Sequence, residues 1–291
     1  MNIYSENKNI IINELSDFDI EEVLECGQCF HFTKLGESNY ELLAFGKYLN
    51  VTQHGTKLIM HNTSMEEFDS CWKQYFDLDR DYFSIKSNIL KLDSRLKEAV
   101  ESKPGIRILR QEFFETLISF IISQNKQIPH IKQIVHTISE RFGSEIVLEE
   151  GRKVYAFPTV EQLSKVTEDE LRECKVGFRA PYIKCAVSMV ASGEITEEKL
   201  LSMTVGDARE KLMTIKGVGE KVANCVLLFG LGFTDTFPID VWMKRIMEYM
   251  YYDKPQDKKV IEAFAMEKYG DLAGYAQQYL FFYGRENGLG K

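Results

Sequence analysis

The chain of 291 residues contains no long uncharged apolar run. Its most apolar stretch, Phe113 to Ser123, carries Glu115 and is too short to span a bilayer. The opening residues, MNIYSENKNI, lack the basic-then-apolar order of a secretion signal, so a cytoplasmic location is the expectation. A cysteine framework is missing too. Six cysteines are scattered along the chain and only Cys26-Gly-Gln-Cys29 is close-set. No second pair completes a zinc site, and no strand-helix-strand pattern surrounds the pair as in a redox domain. The cysteines are expected to be reduced and mostly buried. Internal repeats and low-complexity tracts are absent. Basic charge is in deficit, with a formal net charge of -8. That total, taken alone, argues against a nucleic-acid partner.

Hydrophobic residues make up 44% and aromatics 12% of the chain, which supplies a sizeable core and excludes disorder. The length allows two or three packed domains. The charge is also uneven. Leu171 to Lys184 carries Arg172, Lys175, Arg179 and Lys184 against Glu173 alone, and Phe120 to Gln133 carries Lys126 and Lys132 with no acid. Phosphate contact depends on such local fields, although solvated helix faces give the same pattern. Cys29–Thr33, Tyr40–Phe45, Tyr48–Val51 and Lys57–Met60 read as strands punctuated by Gly36, Asn39, Gly46 and Gly55. Helical periodicity begins near Thr63 and dominates after Pro104, with capping boxes at Thr159-Val-Glu-Gln162 and Thr167-Glu-Asp-Glu170. The predicted class is α+β: an antiparallel sheet domain over residues 1–103, then a mostly helical region over 104–291.

The segment Thr204 to Gly230 reads as two helices broken by Lys216-Gly-Val-Gly219. Gly217 and Gly219, flanking one apolar residue, permit a tight turn that leaves backbone N–H groups free at a helix N-terminus. Those donors and the helix dipole suit a phosphate, and such contact reads DNA backbone rather than sequence. A plain αα-hairpin would need only one glycine. Lys221 falls in the first turn of the second helix, where the dipole disfavours a charged ammonium; the neutral amine is the form that attacks carbon. Cys225 lies four residues on, on the same face. Then comes Thr236-Phe-Pro-Ile-Asp240. Asp240 stands at the N-cap of a helix from Val241 to Tyr251. Capping alone would account for an aspartate here, yet a fixed carboxylate is also what stabilises positive charge on a sugar as its glycosidic bond breaks.

Gly217-Val-Gly219, Lys221 and Pro238-x-Asp240 together resemble the helix-hairpin-helix, Gly/Pro-Asp signature of base-excision DNA glycosylases. A lysine in the hairpin with the aspartate marks the bifunctional branch, and the chain most resembles the 8-oxoguanine DNA glycosylase/AP lyases. The resemblance implies Lys221 as nucleophile and Asp240 as its carboxylate partner. It implies that the Gly27 carbonyl, before Gln28 and Phe30, accepts the N–H peculiar to the oxidised base. Gln277 would meet the base edge, and Phe281 and Cys225 would flank the ring. Asn125, in Ser123-Gln-Asn125, would fill the gap left by the flipped nucleotide, and Phe178, in Gly177-Phe178-Arg179, would wedge the duplex.

The chain departs from the animal members at Trp242, where they carry a phosphate-contacting histidine, and at Phe178, where they carry tyrosine. By ungapped counting from Asn125, His130 replaces an arginine that reads the opposite cytosine, leaving Arg179. The implied partner is duplex DNA containing oxidised guanine, bound by a monomer with no membrane association and located with the nucleoid. No metal or organic cofactor is required, although hairpin carbonyls could hold a structural cation. The four-cysteine cluster with which some superfamily members bind iron–sulfur is missing from the C-terminal region, so no cluster is expected. Two rivals are a superfamily glycosylase for alkylated purines or oxidised pyrimidines and a non-catalytic hairpin DNA-binding module. The hairpin lysine counts against the alkylpurine enzymes, and borohydride trapping of a lysine adduct separates an enzyme from a binding module.

Overall fold

The computed structural model describes residues 1–289. Six strands form one antiparallel sheet: β1 (Asn2–Glu6), β2 (Asn9–Asn13), β3 (Phe32–Gly36), β4 (Asn39–Ala44), β5 (Lys47–His54) and β6 (Lys57–His61), in the spatial order β1-β2-β6-β5-β4-β3. Alternation sets which face is buried. Tyr40, Leu42 and Ala44 of β4 and Leu49 and Val51 of β5 point inward, whereas Asn39, Glu41 and Asn50 face out. Trp72, Phe68 and Phe76, from the turns after the sheet, cover the inner face together with α1 (Ile20–Glu25).

The sequence reading places a strand at Cys29–Thr33, but pairing begins only at Phe32. Cys29 to His31 form instead an irregular segment between the two cores: Cys29 enters the sheet core, Phe30 the helical core, and His31 lies 3.5 Å from Glu115 of the helix Phe113–Ser123. Strands β1 and β2 and helix α1 escape the sequence reading. Ile10-Ile-Ile12 is an apolar run without alternation, and α1 is too short to show a period.

The helical part is built on α2 (Tyr82–Leu92), α3 (Lys97–Ser102), α4 (Phe113–Ser123), α5 (Ile128–Phe142), α6 (Ala180–Ala191), α7 (Val205–Met213), α8 (Glu220–Gly230), α9 (Val241–Tyr251), α10 (Lys258–Tyr269) and α11 (Ala273–Glu286). A small hairpin, β7 (Glu145–Val147) with β8 (Lys153–Tyr155), interrupts it. The apolar run Phe113–Ser123 is α4, buried on almost every side, and no helix among the described residues is long and apolar enough to cross a membrane. Both predicted capping boxes form.

Residues 105–111 run extended between the two cores. Ile106 and Ile108 enter the helical core and Leu109 the sheet core. Between them the buried Arg107 guanidinium donates to the carbonyls of Asp17 (2.9 Å), Asp77 (2.7 Å) and Ser16 (3.3 Å) and lies 4.4 Å from the centroid of the Tyr82 ring. A buried cation is tolerable only when its donors are satisfied in this way.

Glu112, at the N-cap of α4, lacks such partners. Burial, then the nearby Glu115 and Glu197 carboxylates, push its carboxyl up to about 7. A folded-state value above the unfolded one means that the associated stability is fully present below the unfolded value and is lost as pH rises through about 7. Glu112→Gln, which cannot ionise, should therefore melt a few degrees above wild type at slightly alkaline pH, with the gap closing as pH falls toward the ordinary carboxylate range. A difference in melting temperature that does not change with pH would show that ionisation of Glu112 is not the cause.

Candidate active site and DNA-facing surface

The hairpin forms as the glycines require. Helix α7 ends at Met213, and α8 starts at Glu220 with Gly219 as its N-cap. Gly217 has φ +84°, and a Cβ there would sit 2.3 Å from the Tyr182 ring. Gly219 is extended (φ -102°, ψ 179°), with open space where its Cβ would lie. The second glycine therefore leaves the N-terminus of α8 unobstructed.

Lys221 is half-buried in the first turn of α8, its Nζ 4.9 Å from the centroid of the Phe120 ring of α4. Burial pushes the Cys225 thiol up; Lys221 beside it opposes the shift and Asp240 adds to it, so the amine, thiol and carboxylate share one electrostatic neighbourhood. Asp240 caps α9: its Oδ1 accepts from the Met243 N–H at 2.7 Å. That bond fixes the carboxylate on the backbone, and among the described residues no lysine, arginine or histidine forms an ion pair with it. The loop before it is held from two sides. Gln277 Nε2 donates to the Pro238 carbonyl (3.3 Å), and Lys258 Nζ donates to that of Ile239 (3.2 Å).

Helix α11 carries the second group. Gln277 is buried, and its Oε1 has no hydrogen-bond partner. One turn on, the Phe281 ring approaches Gly27, whose φ of +86° places it in the left-handed region. A Cβ at Gly27 would lie 3.5 Å from Phe281 Cε1 and 3.3 Å from Ile128 Cδ1. Gly27, distant in sequence, thus meets Phe281 one turn from Gln277, and through Gln277 the same helix reaches the Asp240 loop.

A third group lies at the surface. Asn125 is exposed with φ +51° in the turn between α4 and α5, a conformation that asparagine tolerates better than most residues. Phe178 is 53% exposed on a 3₁₀ turn, edge-on to Tyr182, the residue that packs on Gly217. Arg179 does not reach outward. It is buried, donates to the Val176 carbonyl (2.9 Å) and the Gln124 carbonyl, and so ties the Phe178 turn to the Asn125 turn. His130 is exposed on the first turn of α5, and Trp242 is partly exposed beside Asp240 with the Arg245 guanidinium over its ring at 5.6 Å.

The basic island at 171–184 is mostly engaged internally. Arg172 pairs with Glu168 and Asp169 (2.8 Å each), and Lys184 binds the carbonyls of Ser164 (3.1 Å) and Val166 (2.6 Å). Lys175 alone of the four is exposed without such a bond among the described residues.

A cavity of about 270 Å³ opens beside Lys221, lined also by Asn224, Phe237, Lys258 and Glu262. Three larger cavities, about 590 and 560 Å³ against the N-terminal sheet and about 510 Å³ between residues 160–165 and 190–191, contain none of the predicted site residues. Convergence of chemically competent groups, rather than size, marks the site. Among the described residues no group of three or more His, Cys, Asp or Glu side chains is arranged to hold a metal ion. All six cysteines are free, and burial pushes the Cys26 thiol up to about 12 and Cys29 well above its usual range, so this pair is inert packing. Sequence reasoning missed Phe120 and Lys258, which only the tertiary fold brings to the site. It also missed Arg285, which the four-residue spacing from Phe281 could have flagged.

Residues 10–117 match the family model for the N-terminal domain of 8-oxoguanine DNA glycosylase, and residues 118–270 match that of HhH-GPD superfamily base excision DNA repair proteins. The solved structure of MBOgg1 in complex with a low-affinity DNA ligand is similar at 44% identity, covering 99% of both chains with a TM-score of 0.95. The 8-oxoguanine glycosylase/lyase of Clostridium acetobutylicum, solved with double-stranded DNA containing cytosine opposite 8-oxoG, is 40% identical, with 99% of both chains covered and a TM-score of 0.94. A probable N-glycosylase/DNA lyase of Methanothermobacter thermautotrophicus is 30% identical over 251 residues, 79% of this chain and 78% of that protein.

The two hairpin glycines should respond differently to substitution. Gly217→Ala combines a left-handed backbone with a clash against Tyr182 and should lose ~1–3 kcal/mol in denaturant unfolding. Gly219→Ala meets no atoms and should lose no more than ~1 kcal/mol, the scale of an altered N-cap. Equal losses would show that the Tyr182 contact does not decide the cost.

Proposed function

The chain belongs to the HhH-GPD superfamily of base excision DNA repair proteins, and from that membership we propose that it excises 8-oxoguanine from duplex DNA and then cleaves the strand at the resulting abasic site. The observation that carries this reading is that one helix, α11, both holds the loop ending in Asp240 through Gln277 and sets Phe281 against Gly27, while Lys221 and Cys225 stand one turn apart on α8. The damaged nucleotide leaves the stack, at a cost that enzymes acting on bases commonly bear, and enters between Phe281 and Cys225. The Gly27 carbonyl accepts the N7–H that guanine lacks, and Gln277 meets the pairing edge.

The chemistry follows from the second cluster. The Lys221 amine attacks C1′ of the sugar. As the C1′–N bond to lysine forms, the glycosidic bond breaks and its electron pair leaves with the base, which takes up a proton. Asp240, fixed by its cap bond, stabilises the positive charge developing on the sugar. The lysine nitrogen lone pair then opens the sugar ring: the C1′–O4′ bond pair goes to O4′, which takes up a proton, and a protonated Schiff base remains between lysine and C1′. Loss of a C2′ proton then expels the 3′ phosphate by β-elimination, and hydrolysis releases the lysine. The Gly217–Gly219 hairpin, the Asn125 turn and the Phe178 wedge hold the duplex.

Lys221→Gln should abolish base release and borohydride trapping while leaving DNA binding. Asp240→Asn should slow release by a hundredfold or more, roughly the scale of losing one electrostatic stabiliser, while keeping the melting temperature, because asparagine also caps helices. Single-turnover excision measures both. Appreciable turnover in the lysine variant removes it as nucleophile, and full activity in the aspartate variant reduces Asp240 to a cap.

Preference for the base opposite the lesion should be weak. The guanidinium of Arg179 is committed to two carbonyls, His130 offers one donor and one acceptor when neutral, and Phe178 lacks a hydroxyl. Losing one good bidentate contact removes ~1–3 kcal/mol of discrimination, about one to two orders of magnitude in relative rate. Excision rates from duplexes carrying each of the four bases opposite 8-oxoguanine check this. Strong selection of cytosine would mean that Arg179 is released when DNA binds.

A further inference from the structure

The loop bearing Gly27 is tied down on both sides. On its C-terminal side the fully buried Gln28 donates to the carbonyls of Val23 (2.8 Å) and Arg107 (2.7 Å) and accepts from the Leu109 N–H (2.9 Å). Its N-terminal side is held by α11: Arg285 Nη2 donates to the Glu25 carbonyl at 2.7 Å, and Gln278 Nε2 to Cys26 Sγ at 3.2 Å. Arg285 stands one turn beyond Phe281 and two beyond Gln277, on the same helix face. Its guanidinium lies 5.9 Å from the Phe281 ring centroid and 5.1 Å from that of Phe282, and its Nη1 is 3.6 Å from where a Gly27 Cβ would be.

One cation therefore holds two things that base selection needs in fixed relation: the ring that stacks on the base and the backbone whose carbonyl accepts from it. We propose that Arg285 is a positioning residue for damaged-base selection, fixing the Gly27 carbonyl relative to Phe281. The proposal rests on the 8-oxoguanine reading given above. A planar, always-charged fork can stack on a ring and donate sideways at once; a lysine ammonium can donate but cannot stack flat, and leucine can only fill space. Arg285 stands two helical turns beyond Gln277, the α11 residue that bonds the Asp240 loop, so it should matter for recognising a base and not for cleaving a strand that has already lost one.

The test compares wild type, Arg285→Leu and Arg285→Lys in two single-turnover assays: excision from an 8-oxoguanine duplex, and β-elimination on a duplex with a preformed abasic site. Excision by Arg285→Leu should fall about 10- to 100-fold, the scale of a lost charge-assisted hydrogen bond. The lysine variant should recover part of that loss. Abasic-site cleavage should stay within about twofold of wild type in both, which also reports that the variants fold. Undiminished excision by Arg285→Leu overturns the proposal, as does a parallel fall in both assays, the mark of a merely structural role. Failure of the wild type itself to excise 8-oxoguanine while still cleaving abasic DNA would instead overturn the substrate reading on which the proposal rests.

Discussion

The burial of helix α11 is the constraint on which the remainder of the site depends. Tyr275, Ala276, Gln277, Gln278, Tyr279, Leu280 and Phe282 are all enclosed, so the helix cannot rotate or slide without opening the core on several sides. From that fixed rod the Gly274 N–H holds the Thr234 carbonyl at 2.8 Å, Gln277 holds Pro238, Phe281 faces Gly27 and Arg285 holds Glu25. The loop that ends in the capping Asp240 and the loop that bears Gly27 are thus indexed to one element. A site assembled from segments far apart in sequence stays assembled because its supports are side chains of a helix that has nowhere else to go.

Electrostatics operate here at short range. A net charge of -8 gives no general attraction for a polyanion, and much of the basic charge is bound internally. Arg107 and Arg179 are buried on backbone carbonyls, and Arg172 and Lys184 are tied to their own surroundings. Exposed near the hairpin are the N-terminus of α8 at Gly219, the side chains of Lys175 and Lys216, and Asn125, Phe178 and Trp242. That arrangement favours contact over steering.

The pattern of residues by itself determined the class of fold, the glycine hairpin and the helix positions of Lys221 and Asp240. Each is a local property. Gly-Val-Gly demands a turn whatever surrounds it, alternation in β4 and β5 demands a two-faced sheet, and an aspartate before an amphipathic run demands a cap. Local chemistry misplaced the strand at Cys29 and passed over β1, β2 and α1, where an unalternating run and a single short helix leave no period to read. Only the tertiary structure decided that Lys221 lies over Phe120, that Lys258 supports the Asp240 loop, that Arg179 faces inward and that Arg285 holds the loop of Gly27. Those facts depend on which side chain reaches which backbone carbonyl across the core, and a carbonyl has no residue type. Sequence names every donor, but the acceptors it meets are set by how the chain packs.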